Sequence, residues 1–216
     1  MAGVSPARLD RMRSVLERRT RRLLLVLDDV HKARNAGALL RTADAVGIQE
    51  IHAIENRSPF LDDPETSVGA GQWLDLVTHR RDDFPPQHKL HPPEVALEPG
   101  AQENVRRTLV SLKARGYRIA VSDLSADSIS LDQVPVNQPL ALVVGNEFAG
   151  ASPVARELAD FRFSIPMHGF AQSLNLAVFA GIALHALAER MRALPNWPME
   201  PEDQQATLAR WIADQA

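Results

Sequence analysis

The sequence contains no cysteine in 216 residues, which excludes a disulfide framework, a thiolate nucleophile and a cysteine-based zinc site. Any metal would have to be held by histidine and carboxylates alone. The seven histidines show no HExxH-like spacing, and His88 and His91 fall in a proline-rich stretch that reads as a loop; no metal site is expected. Long apolar runs are missing too, since none approaches the roughly 20 residues that span a bilayer. The opening Met-Ala-Gly-Val-Ser-Pro turns polar and basic too soon for a secretory signal. A cytoplasmic protein with no membrane partner is therefore expected. The chain also lacks the glycine-rich turns of nucleotide-binding folds. Gly69-Ala-Gly71-Gln-Trp-Leu has neither the third glycine nor the following helix of a dinucleotide fingerprint, and no GxxxxGK[ST] or GxSxG pattern occurs. No internal repeat is present.

The composition is that of an ordinary globular protein, 45% hydrophobic and 24% charged, and the length suits a single domain over residues 1–216. The net charge of −3 hides an asymmetry. Residues 1–41 carry ten Arg or Lys against four acidic residues, whereas the remainder carries 14 against 23. Arginine forks match phosphate oxygens, so this basic segment, with Arg8, Arg11, Arg18, Arg19 and Arg34, is expected to face a polyanion.

Apolar periodicity predicts alternating helices and strands. Residues 8–19 read as a helix with Leu9, Met12 and Leu16 on one face, 23–27 as a strand, 36–46 as a helix closed by Gly47, and 50–54 as a strand. Beyond these come a strand over 73–78, a helix over 103–114, strands over 117–121 and 140–144, and a helix opened by Ser152-Pro153. A strand over 161–165 and a long helix over 174–194 follow, and a short amphipathic helix with Leu208, Trp211 and Ile212 lies after Pro195. Residues 82–102 are expected to form a surface loop or insertion. Such alternation implies an α/β fold, a mostly parallel sheet covered by helices on both faces.

Three polar junctions interrupt this pattern where apolar runs give way to helices: Asn35-Ala-Gly-Ala-Leu-Leu-Arg41, Gly145-Asn-Glu147 and Gln172-Ser-Leu-Asn175. Ligands of open α/β sheets sit at the carboxyl ends of strands, so three such ends point to one shared pocket. Asn35 and Arg41 lie about 240° apart around a helix axis, which makes Asn35 a loop or N-cap residue if both are to serve one site. Arg41 sits in an otherwise small and apolar helix, where a guanidinium must find partners or reach water. Ser173 is a candidate N-cap of the last helix, a reading that leaves Gln172 and Asn175 unexplained.

The three junctions together resemble the motifs of the SPOUT class of RNA methyltransferases, in its TrmH-like (SpoU) branch. Asn35-x-Gly37-Ala38-x-x-Arg41-Thr42-Ala43-x-Ala45-x-Gly47 is similar to the first motif, Leu142-Val-Val-Gly145-Asn-Glu147-x-x-Gly150 to the second, and Ile165-Pro-Met167-x-Gly169-x-x-Gln172-Ser-Leu-Asn175 to the third. Val30-His31-Lys32 and Ser67 to Trp73 extend the resemblance over most of residues 8–194. It implies a C-terminal deep trefoil knot, a homodimer, and S-adenosylmethionine held by Ser122, Gly145, Glu147, Ile165, Met167, Ser173 and Leu174. It also implies methylation of an RNA ribose 2′-oxygen, with guanosine 18 of the tRNA D-loop the expected target. An rRNA is the alternative acceptor, and a non-catalytic RNA-binding protein the remote one. The catalytic set it implies is Arg41 with Asn35, Glu147, Ser173 and Asn175. Because arginine is ordinarily always protonated, two roles stay open for Arg41: loss of its proton only when RNA phosphate reshapes its surroundings, or stabilisation of the developing alkoxide. Arg34 and Phe148-Ala149 depart from the family pattern.

Overall fold

The computed structural model describes residues 4–57, 59–82, 84, 95 and 97–215. Its centre is a seven-stranded sheet in the order β3-β2-β1-β6-β4-β7-β5, in which every pairing is parallel. The strands are β1 (Leu23–Asp28), β2 (Glu50–Glu55), β3 (Asp75–Arg80), β4 (Arg118–Ser122), β5 (Ile129–Ser130), β6 (Leu140–Val144) and β7 (Phe161–Ser164). The helices are α1 (Pro6–Leu16), α2 (Ala33–Val46), α3 (Pro64–Ser67), α4 (Pro99–Ala114), α5 (Pro153–Leu158), α6 (Leu176–Arg192) and α7 (Pro201–Ala213).

Strand β1 shows why the sheet is covered twice. Side chains alternate along a strand. Leu23, Leu25 and Leu27 enter one core with Leu39 and Leu40 of α2 and Leu184 and Leu187 of α6. Leu24 and Val26 enter the other with Val105 and Leu109 of α4 and Val154 of α5. A run apolar at every position is what a central parallel strand requires.

A third, smaller cluster joins α1 to α7. Met12 and Leu16 pack on Trp211, and the Trp73 ring meets Trp211 edge-on at 5.2 Å. Gly47 ends α2 in the left-handed region, φ 88°, where a Cβ would come within 2.8 Å of the Arg18 carbonyl.

Several expected boundaries move. Helix α2 begins at Ala33 with Lys32 as its N-cap, so Asn35 is its third residue and neither loop nor cap. Trp73 ends a 3-10 turn over Ala70–Trp73, and β3 starts at Asp75, where the edge strand can pair with β2. Pro99 opens α4, which makes residues 99–102 helical; most of the expected 82–102 insertion lies outside the described residues. Asn175, not Ser173, caps α6, its Oδ1 accepting from the N–H groups of Ala177 and Val178. Among the described residues no helix is long and apolar enough to cross a membrane.

Candidate functional site

The carboxyl ends of β1, β4, β6 and β7 open into one pocket of about 420 Å³, within the range typical of small-molecule sites. Each wall follows from a strand end. Strand β4 ends at Ser122 and β7 runs into Ile165 and Met167. The turn after β6 supplies Gly145 and Glu147, and the approach to α6 supplies Gln172, Ser173, Leu174 and Asn175. Lys32 and Asn35 close the side towards β1.

The turn after β6 is built by contact with itself. Asn146 and Gly150 exchange backbone hydrogen bonds, each 3.1 Å long. The Asn146 side chain accepts from the N–H groups of Phe148 at 3.0 Å and Ala149 at 2.8 Å. A Cβ on Gly145 would lie 1.9 Å from the Gly150 carbonyl carbon, so no other residue can occupy this position without reshaping the turn.

A short polar relay ties the three junctions together. Glu147 Oε1 accepts from Asn35 Nδ2 at 2.8 Å and from the Lys32 N–H at 3.2 Å. Asn35 Oδ1 accepts in turn from Asn175 Nδ2 at 3.2 Å. Asn35 thereby has both ends of its amide used, and the caps of α2 and α6 are held to the β6 turn. Glu147 Oε2 lies 2.9 Å from His31 Nδ1, without the alignment of a hydrogen bond. Burial holds the His31 imidazole below its usual range, against the opposing pull of Glu147. His31 stacks on Phe148 with centroids 5.2 Å apart.

The expected site residues divide into three groups. Ser122, Gly145, Glu147, Ile165, Met167, Ser173 and Leu174 line the pocket together, with Asn35 and Asn175. Arg41 does not: it is exposed on α2 and makes no hydrogen bond or ion pair among the described residues. It reaches water instead of an internal partner. The basic segment is also divided. Arg8, Arg11, Arg18 and Arg34 are exposed, but Arg19 is only 1% exposed. Its guanidinium pairs with Asp44, donates to the Ile48 carbonyl at 2.9 Å and lies over Trp211. Arg19 is thus a structural arginine, which corrects the expectation that it faces RNA. Arg21 is likewise committed, to Glu50 and Asp75. Arginine count alone could not separate these two from their exposed neighbours.

Sequence reasoning passed over Lys32 and Phe148 as site residues, although each adjoins a junction. It also passed over Arg156, which lines the same pocket and lies 3.4 Å from Asp123 Oδ1. Among the described residues no group of three or more His, Asp or Glu gathers in a way that would hold a metal.

The lining suits S-adenosylmethionine on chemical grounds. Apolar Ile165, Met167, Leu174 and Phe179 can cover a flat ring system, while Ser122 and Ser173 offer polar groups to a charged amino-acid end. The turn closes tightly on itself at Gly145, whose missing Cβ lets the Gly150 and Ala151 backbone approach.

Comparison with known proteins agrees with this geometry. Residues 22–89 and 95–185 match the family described as SpoU rRNA Methylase. A tRNA (guanosine(18)-2'-O)-methyltransferase of Thermus thermophilus is 35% identical over 209 residues, which cover 95% of this chain and 96% of that protein. The crystal structure of the Aquifex aeolicus TrmH/SpoU tRNA modifying enzyme matches with a TM-score of 0.78 at 29% identity, over 97% of each chain. The SpoU methyltransferase AviRb of Streptomyces viridochromogenes, crystallised with the cofactor AdoMet, shares the fold with a TM-score of 0.62 at 24% identity. That likeness covers 90% of this chain and 67% of AviRb.

Proposed function

The chain belongs to the SpoU methylase family, and from that membership we propose that it methylates the ribose 2′-oxygen of guanosine 18 in the tRNA D-loop, with S-adenosylmethionine as donor. The observation that carries the reading is the meeting of three distant junctions in one pocket, tied by the Glu147–Asn35–Asn175 relay. Near end-to-end similarity to the Thermus thermophilus tRNA enzyme favours tRNA over rRNA. Action on tRNA would take place in the cytoplasm.

S-adenosylmethionine, held by residues such as Gly145, Met167 and Leu174, would supply an electrophilic methyl group for the ribose oxygen. This chain's residues have to place that oxygen in line and stabilise its developing charge. Gly145, Met167 and Leu174 form the floor and sides of the pocket. Glu147 is a positioning residue, because its Oε1 is already occupied by Asn35 and the Lys32 N–H. Ser173 and Asn175 set the approach to α6. Arg41 is not among the residues lining the pocket of the single chain, so that pocket lacks the stabilising cation that the motif would supply.

A two-fold assembly would close that gap. Gly181 of α6 sits against Thr42 of α2, so Arg41 lies beside α6, whose Val178 and Ile182 are 52% and 44% exposed one turn apart. Pairing of two copies through this apolar stripe would cover it and carry Arg41 of one copy to the pocket of the other. A C-terminal trefoil knot is supported by the strand order, in which β6 returns between β1 and β4 and β7 between β4 and β5.

The test is incubation with radiolabelled S-adenosylmethionine and purified tRNA or rRNA, followed by mapping of the labelled nucleotide. Label at 2′-O-methylguanosine 18 of tRNA is expected. Label confined to rRNA would transfer the assignment to the rRNA branch, and label in neither would refute methyl transfer to these RNAs.

A further inference from the structure

Phe148 carries the one aromatic ring among the lining residues of this pocket that is mostly exposed, at 67%. Single exposed apolar side chains are common on protein surfaces; Phe148 stands apart because it lines the pocket. Its position is fixed from several directions. The backbone N–H of Phe148 donates to Asn146 Oδ1 at 3.0 Å, and the preceding Glu147 is held by Asn35 and the Lys32 N–H. The ring is supported by the buried His31 imidazole, stacked at 5.2 Å and inclined by only 18°. Lys32 lies over the ring with its ammonium group 5.1 Å from the centroid, a place that a stacking base would take as this flexible side chain swings aside. Side-chain freedom that would otherwise be lost on binding is already restricted in the free protein, a pre-organisation that favours a stacked ligand.

Resting on the methyltransferase reading above, we propose that Phe148 is a specificity-determining residue, the platform on which the purine base of the target nucleotide stacks while its ribose enters the pocket. Three features favour a nucleobase over another apolar partner. The ring belongs to none of the apolar clusters of the fold, and the residues beside it, Lys32 and Ala149, are exposed and either charged or small. The adjacent ammonium suits the phosphate that accompanies every nucleotide. The platform borders the same pocket as Glu147 and Ser173, so a base on Phe148 and its own sugar in the pocket are within one nucleotide's reach. Base-on-aromatic stacking is a recurrent mode of RNA recognition where a base is splayed out of its helix.

The test is a coupling measurement on RNA affinity, which reads recognition apart from turnover. Full-length tRNA carrying either guanosine or an abasic ribose at nucleotide 18 is titrated into the wild type, Phe148→Ala, Phe148→Leu and Phe148→Trp. The expected result is a loss of affinity of about tenfold for guanosine tRNA in Phe148→Ala and Phe148→Leu. No further loss is expected on abasic tRNA, and near-normal binding should return in Phe148→Trp. Oligomeric state should be unchanged in all variants. Equal losses on both RNAs, no loss on either, or a change in oligomeric state would each overturn the stacking role. A wild type that transfers no methyl group to tRNA brings down the functional reading itself, a result visible before any variant is made.

Discussion

Arg41 has the least structural work of any residue assigned to the reaction, and that makes it the most informative to change. It is exposed and makes no hydrogen bond or ion pair among the described residues, so Arg41→Ala should leave the melting temperature nearly unchanged. Turnover should fall by about 10² to 10³, the usual effect of deleting one group that stabilises developing negative charge, with donor affinity intact by calorimetry. Arg19 should behave in the opposite way. Its guanidinium is buried against Asp44 and the Ile48 carbonyl, and Arg19→Ala is expected to cost about 3 kcal/mol in denaturant unfolding. RNA affinity of the folded fraction should stay normal. Exposed Arg11 offers the contrast: Arg11→Ala should reduce the salt dependence of tRNA binding by about one counterion and leave stability alone. Arg11 and Arg19 are indistinguishable in sequence. Burial, which decides between them, depends on where α7 and Trp211 close over α1, a contact between residues far apart in the chain.

At the scale of elements, the β2–β3 pair holds a partly buried polar chain remote from the pocket. His52 Nδ1 lies 2.7 Å from His79 Nε2, and His52 Nε2 lies 2.7 Å from Glu50 Oε1. Arg115 donates to both Glu50 oxygens, at 2.7 Å and 3.1 Å. Burial first, then His52 and Arg107, push the His79 pKa down to about 4. A histidine depressed on folding binds its proton more readily when unfolded, so its contribution to stability is complete above the unfolded value near 6.5 and is lost as pH falls towards about 4. The melting temperature should therefore drop between pH 7 and 5, and the drop should be smaller in His79→Gln. An equal drop in that variant would place the acid sensitivity elsewhere. The central strands were legible from apolar runs, because Leu23 to Leu27 and Leu140 to Val144 are buried on both faces. Helix starts were less so. Asn35 and Asn175 both resemble caps, yet only Asn175 is one; Asn35 sits inside α2 with its amide spent on Glu147 and Asn175. Propensity ranks Asn as a cap in either place, and only the tertiary partners separate the two.

For the whole molecule, the sequence motifs identified which strand ends would converge, but periodicity does not encode how β6 and β7 insert between earlier strands. Nor does it tell whether the proposed site takes parts from a second copy. The exposed Val178–Ile182 stripe on α6 is where that copy would dock. Ile182→Glu should convert the assembly to monomers in analytical ultracentrifugation and abolish turnover, because Arg41 would no longer reach a partner's pocket. An active monomer would contradict shared sites. Underneath both ideas lies a simpler one: the closed turn after β6 is where the methyl donor is held. Calorimetric titration of S-adenosylmethionine into the wild type and Gly145→Ala isolates that turn, since a Cβ there meets the Gly150 backbone at 1.9 Å. One site per chain is predicted in the wild type and no measurable heat in Gly145→Ala, whereas equal binding by the two proteins would mean that the donor is held elsewhere.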